Sequence, residues 1–167
     1  MSATVLNSVN GKASLSEAKR HNKLRGTEFW LKREELLAGG LRSYVPQDNH
    51  LLAICSEVKN CRGEVGHIPL LDFHIPSDKK NTKLVAEVTR LVFGKGIVLE
   101  SGKSFHAYGK SVVTHDTFMH QLKIALLYAP IVDRAFVAHQ LIESRAVLRV
   151  STSVSKPSIP IVVFDCN

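Results

Sequence analysis

A chain of 167 residues, 44% hydrophobic and 22% charged, is long enough to bury one apolar core without metal or disulfide staples, and this composition excludes a fibrous or wholly disordered protein. A formal net charge of +7 favours polyanionic partners, nucleic acid or nucleotide phosphates, through long-range attraction and counterion release. Cys55, Cys61 and Cys166 lack C-x-x-C spacing, and no apolar run reaches the ~20 residues of a membrane span or the pattern of a signal peptide, so the reading is a reduced, cytoplasmic protein with neither disulfide framework nor zinc ribbon.

The opening MSATVLNSVNGKASLSEAKRHNKLRG is rich in Ser, Asn and Lys and predicts a basic, flexible or loosely packed arm over residues 1–26, ahead of a single domain over 27–167. From Thr27, TEFWLKREELLAGG offers an N-cap, an early glutamate, apolar Phe29, Trp30, Leu36 and Leu37, and a Gly39–Gly40 stop, which predicts a short helix. HLLAICSEVKNCRGEVGHIPLLDFHIP then reads as two strands joined by a polar loop, an antiparallel pair.

At SDKKNTKLVAEVTRLVFGKG the period changes. Leu84, Val85, Val88, Leu91 and Val92 recur at three- and four-residue spacing between a Ser/Asp cap and Gly94, the pattern of a helix. GIVLESGKSFHAYG follows as a hairpin, and THDTFMHQLKIALLYAP, capped by Thr114 and halted at Pro130, is a further amphipathic helix. VDRAFVAHQLIES predicts another short helix, and RAVLRVSTS and IPIVVFD are β-rich segments separated by a Lys-Pro loop. The order predicts a mixed α/β chain of α+β type, a mainly antiparallel sheet flanked by helices.

Two segments carry candidate chemistry. Asp72 and His74 stand two apart at the end of an apolar strand, so both side chains project from one face and offer mixed O and N donors to a divalent metal. The plainer alternative is that Asp72 caps a turn and His74 is a surface histidine. In the hairpin, Ser101, Gly102 and Ser104 with Lys103 permit close backbone approach to an anion, and His106 lies within reach of a phosphate oxygen, or else hydrogen-bonds a neighbouring carbonyl. Cys55 reads as a small buried hydrophobe, His115, His120 and His139 as residues scattered along presumed helices, His120 and Gln121 as bordering packing surfaces, and Phe29 and Trp30 as packing groups or base-stacking platforms.

Taken together, LLDFHIP, the hairpin motif ESGKSFHAYG, the later Asp133 and VLRVSTSVSKP resemble the catalytic core of the archaeo-eukaryotic primase superfamily over about residues 50–165. The resemblance implies an RRM-related core. It implies catalytic roles for Asp72, His106 and Asp133, nucleotide contacts from Ser104, Lys103, Arg149, Ser151, Ser153 and Lys156, and a manganese or magnesium ion held by Asp72, His74 and Asp133. His74 occupies the place of the family's second carboxylate, which marks a reduced, single-aspartate branch. The implied function is a nucleotide- and nucleic-acid-binding domain with metal-dependent nucleotidyl transfer, the making of DNA or RNA primers in replication, on nucleic acid and nucleoside triphosphates. The alternative is a catalytically inactive primase-derived module that binds nucleic acid or protein. A partner subunit that supplies the missing acids to an active centre is a separate alternative.

Overall fold

The computed structural model of the chain describes residues 2–7, 26–39, 50–152 and 157–167. Among the described residues, two four-stranded antiparallel sheets and four α-helices organise the fold. The first sheet contains β1 (Ser2–Asn7), β2 (Gly26–Trp30), β3 (His50–Cys55) and β9 (Val147–Arg149), in the order β2-β1-β3-β9. The second contains β6 (Leu70–Asp72), β7 (Gly96–Glu100), β8 (Phe105–Gly109) and β10 (Ile161–Cys166), in the order β10-β7-β8-β6. A small hairpin pairs β4 (Glu57–Lys59) with β5 (Val65–His67). The helices are α1 (Arg33–Leu37), α2 (Lys79–Phe93), α3 (His115–Ala125) and α4 (Arg134–Glu143). The result is the α+β architecture expected from the alternating and helical periods.

The second sheet has two unlike faces. Leu71, Ala107 and Val98 lie in one cross-strand row and are fully buried, in a cluster with Val85, Val88 and Val92 of α2 and Phe118 and Leu122 of α3. A side chain of that size, fully buried, stabilises the fold by roughly 1.5–3 kcal/mol. The adjacent row, Asp72, His106 and Leu99, projects from the opposite face.

Local signals place α2. The Asp78 carboxylate accepts from the Asn81 amide at 2.7 Å, and Gly94, at φ 77°, ends the helix with its amide donating to the Arg90 carbonyl at 2.8 Å. The buried stripe comprises Val85, Ala86, Val88, Thr89 and Val92, whereas Leu84 and Leu91 are exposed, so the stripe is turned relative to the expected one. Gly96 lets α2 approach the sheet, since a Cβ there would lie 2.7 Å from Thr89 Cγ2 and 2.9 Å from the Tyr108 carbonyl oxygen.

Three expectations are corrected. The segment from Thr27 begins as strand β2, paired with β1 from Gly26↔Leu6 to Trp30↔Ser2, and only Arg33–Leu37 is helical, because cross-strand pairing overrides the local helix pattern. The first part of the N-terminal stretch likewise supplies β1, while residues 8–25 lie outside the described ones. The expected pair of strands over residues 50–75 is four strands, and β3 and β6 belong to different sheets. Ser56 makes the break. Its amide still donates to the Ala146 carbonyl at 2.7 Å, beside the β3–β9 pairing, while its own carbonyl accepts from the Ile68 amide at 2.7 Å, two residues before β6. Among the described residues, no helix is long and apolar enough to cross a membrane.

A candidate phosphate-binding cleft

The mixed row of the second sheet faces the first sheet across a cleft of about 630 Å³. Asp72, His106, Lys103 and Ser101 line one side, Leu51, Leu148 and Arg149 the other, and Phe73, Ile75 and Phe136 contribute apolar wall. Asp72 and His106 are direct cross-strand partners, and His106 Nε2 stands 3.7 Å from Asp72 Oδ1. The Asp72 side chain is 31% exposed and that of His106 is 8% exposed, so the histidine forms the floor and the carboxylate the lip.

Asp133 arrives through the backbone. Its amide donates to the Asp72 carbonyl at 3.0 Å, beside a bridge between Phe73 and Val132, and the His74 amide donates to the Ile131 carbonyl at 2.8 Å. Asp133 Oδ1 caps α4, accepting from the Ala135 and Phe136 amides at 2.8 and 3.1 Å, while Oδ2 lies 3.8 Å from His74 Nδ1. The backbones of Asp72, His74 and Asp133 are thus tied together, but Asp133 is committed to capping α4 and the three side chains do not gather at one point.

The hairpin turn is held by its carbonyls. Ser77 donates from its amide to the Lys103 carbonyl at 3.2 Å and from its hydroxyl to the Gly102 carbonyl at 2.8 Å. Ser104 donates its hydroxyl to the Phe73 carbonyl, and Ser101 donates its amide to the Ser104 carbonyl at 2.9 Å. Gly102 sits at φ 105°, a conformation that L side chains rarely adopt. Lys103 remains exposed at the mouth.

Arg149 crosses from the first sheet. Its guanidinium donates to the carbonyls of Ser101 at 2.9 Å, Ser158 at 2.8 Å and Ser151. Burial lowers its pKa from the ordinary value, opposed by the neighbouring Tyr108 and Asp72, and a guanidinium remains charged throughout the physiological range. Its charge thus reaches the cleft from a fixed mount. Ser151 is turned into structure, accepting from the Leu52 amide at 2.9 Å. Ser153 and Lys156 lie outside the described residues.

Sequence reasoning passed over Tyr108. It stands two residues beyond His106 on the same strand face, opposite Leu70, and its hydroxyl is buried without a hydrogen-bond partner among the described residues. Burial pushes the phenol's pKa well up, with Arg149 opposing and Asp72 reinforcing. The alternation from His106 was the available signal.

The proposed metal ligands fit a metal ion poorly. Among the described residues no three His, Cys, Asp or Glu side chains group closely enough to hold one. One Asp133 oxygen caps α4, and His74, 77% exposed, stands beside the other. A two-metal centre would require clustered carboxylates.

A family model described as archaeo-eukaryotic primase 1D-like matches residues 40–160, a span that includes every residue lining the cleft. No curated protein and no solved structure matches the chain significantly.

Proposed function

The chain belongs to the archaeo-eukaryotic primase 1D-like family, and from that premise we propose that its inter-sheet cleft receives the phosphates of a nucleotide or nucleic acid. The observation that carries the reading is the convergence of Lys103, His106 and Arg149 on one cleft from two sheets, with Asp72 as the cross-strand partner of the histidine. Lys103 supplies a mobile ammonium at the mouth, Arg149 a fixed guanidinium, and His106 an imidazole at the floor. Ser104 has a supporting role, because its hydroxyl proton is given to the Phe73 carbonyl and holds the turn on β6. Ile75 and Phe136 offer an apolar surface for the sugar or base.

The reading is a binding domain rather than a two-metal polymerase. His74 replaces a carboxylate of the family pattern, and the donor set does not fit a metal centre, so nucleotidyl transfer is not built into the proposal.

ATP titration followed by thermal shift tests it, since a ligand that binds only the folded state raises apparent stability. Lys103→Ala is expected to weaken ATP about ten-fold, the lower range for a charge-assisted hydrogen bond, and His106→Ala to weaken it comparably. Unchanged affinity in both variants would move the ligand out of this cleft. Template-directed incorporation with magnesium or manganese that disappears in Asp72→Asn would restore the enzyme reading.

A further inference from the structure

Ser56 clamps Ala146 by its carbonyl and its amide at once. The Ser56 amide donates to the Ala146 carbonyl at 2.7 Å, and the Ser56 hydroxyl oxygen accepts from the Ala146 amide at 3.0 Å. Ala146 directly precedes β9, whose Val147, Leu148 and Arg149 line the cleft. The same hydroxyl lies 3.1 Å from His67 Nδ1, and His67 Nε2 lies 3.2 Å from His115 Nδ1, so the clamp is the inner end of a chain that reaches the surface. Ser56 and His67 are buried, whereas His115, the first residue of α3, is exposed.

Hydrogen-bond accounting gives this chain a direction. The Ser56 oxygen already accepts from Ala146, and among the described residues its proton has no acceptor other than His67 Nδ1. Neutral His67 therefore carries its proton on Nε2 and donates it to His115 Nδ1, which leaves the His115 Nε2 proton to solvent. A cationic His115 carries a proton on Nδ1 as well, and that proton confronts the one on His67 Nε2. The contact survives only if His67 changes to its Nδ1–H tautomer. Ser56 then accepts from both His67 and Ala146 while its own proton is left buried without an acceptor, a costly arrangement. One proton is taken from solvent in this change and none is given up.

The charged groups around the pair are few. Glu57 on β4 is the cross-strand partner of His67, and its carboxylate is itself met by Arg145 at 3.6 Å and by the Cys55 thiol at 3.8 Å. On α3, Asp116 follows His115, and Phe118 stacks on the His67 ring at 4.5 Å. Val113 bridges His67 through the backbone and brings no charge. Burial lowers the His67 pKa, His115 lowers it further and Glu57 opposes them, which disfavours the added proton on the buried ring.

We propose that Ser56, His67 and His115 form a proton-operated latch, in which protonation of His115 at the surface loosens the Ser56 clamp on Ala146 and with it the mount of Arg149 in the cleft. The consequence for ligand rests on the phosphate-binding reading of the cleft and adds its regulation, a loss of affinity in acid.

The test uses the full chain and one surface variant, His115→Gln, whose side-chain carbonyl can accept the His67 Nε2 proton and which takes up none. Amide exchange of Ala146 is followed by NMR at about pH 7.5 and about pH 5.5, either side of the ordinary histidine value, with the Ala107 amide of the second sheet as internal reference. Protection of Ala146, corrected for intrinsic exchange, is expected to fall about ten-fold relative to Ala107 in the parent, the low end of the cost of leaving a buried group unsatisfied, and to stay level in the variant. Imidazole nitrogen shifts are expected to show His67 passing from Nε2–H to Nδ1–H in the parent alone. ATP affinity is expected to fall over the same interval by up to about ten-fold more in the parent than in the variant, because the ligand cannot lose more than the latch gives up. Protonation of His106 and of ATP itself is common to both proteins and cancels in the comparison.

Equal loss of Ala146 protection in parent and variant, or a His67 Nδ1–H tautomer already present at the higher pH, would overturn the latch. Loosening of Ala146 in the parent with identical pH profiles of ATP affinity would overturn its coupling to the cleft. Absence of ATP binding by both proteins at either pH, with Ala146 loosening in the parent alone, would sink the cleft reading and leave the latch standing.

Discussion

His106 lies directly across from Asp72 in the second sheet, its Nε2 3.7 Å from Asp72 Oδ1 at the point where the sheet meets the cleft. The pairing puts one negative charge beside the cations of the cleft, and that mixture makes Asp72 diagnostic for the proposed phosphate site. A carboxylate that serves a metal must be ionised to be useful, whereas one that merely orients a histidine repels an incoming anion. Asp72→Asn keeps an oxygen that can accept from the Phe73 amide, now at 3.0 Å, and removes the charge. ATP affinity without divalent metal is expected to rise by up to about five-fold, the equivalent of ~1 kcal/mol for unit charges ~4 Å apart in water. Isothermal titration with and without manganese reads the result, and a fall that appears only with manganese would assign Asp72 to a metal instead.

Arg149 is expected to stabilise the protein as a strap. Its guanidinium joins the hairpin turn at Ser101 to Ser151 and Ser158, a geometry that one lysine ammonium does not reproduce. Arg149→Lys is expected to lower the unfolding free energy by about 2 kcal/mol, within the range for hydrogen bonds to a charged group. Urea unfolding checks it, and an unchanged midpoint would show the three carbonyls to be equally well satisfied by solvent.

Tyr108→Phe separates ligand contact from packing. The hydroxyl is buried without a partner among the described residues, so its removal is expected to leave the ligand-free protein as stable or up to about 1 kcal/mol more stable. If the hydroxyl meets the ligand, ATP affinity falls in the same variant. Thermal denaturation with and without ATP measures both quantities, and a less stable apo variant would reveal a partner for the hydroxyl.

A pH dependence originates away from the cleft. His67 is buried, stacked on Phe118 at 4.5 Å, and linked through Nδ1 to the Ser56 hydroxyl at 3.1 Å and through Nε2 to His115 Nδ1 at 3.2 Å. Burial lowers its pKa, His115 lowers it further, and Glu57 opposes. The unfolded chain therefore takes up this proton first. The contribution is fully present above about pH 6.5, the unfolded value, and is lost as pH falls toward the lower folded value. Melting temperature is expected to drop over that interval and the drop to be smaller in His67→Gln. An identical pH profile in the variant would locate the dependence in another group.

The local elements were the legible part of this protein. Asp78 and Gly94 bracket α2, Thr114 and Asp133 cap α3 and α4, and the glycine-containing turn between Glu100 and Phe105 closes the hairpin, all through contacts between residues a few positions apart. Asp72, Lys103 and His106 were legible for the same reason, since side-chain alternation on a strand and turn chemistry need no distant partner. The strand at Gly26–Trp30 was not, because its ladder is completed by Ser2–Leu6. Ser104 and Ser151, read as phosphate contacts, each commit a hydrogen bond to Phe73 and Leu52 respectively, partners that the linear order does not disclose.

By itself, then, the sequence determined the helices, the hairpin, the basic character and the two short motifs, each a matter of periodicity, capping or charge within a short window. Only tertiary structure decided that β3 and β6 belong to separate sheets, that the cleft opens between those sheets, and that Arg149 is mounted on three backbone carbonyls. The reason is that hydrogen-bond satisfaction and desolvation are settled by whichever groups the whole fold brings together, and many of these are far apart along the chain.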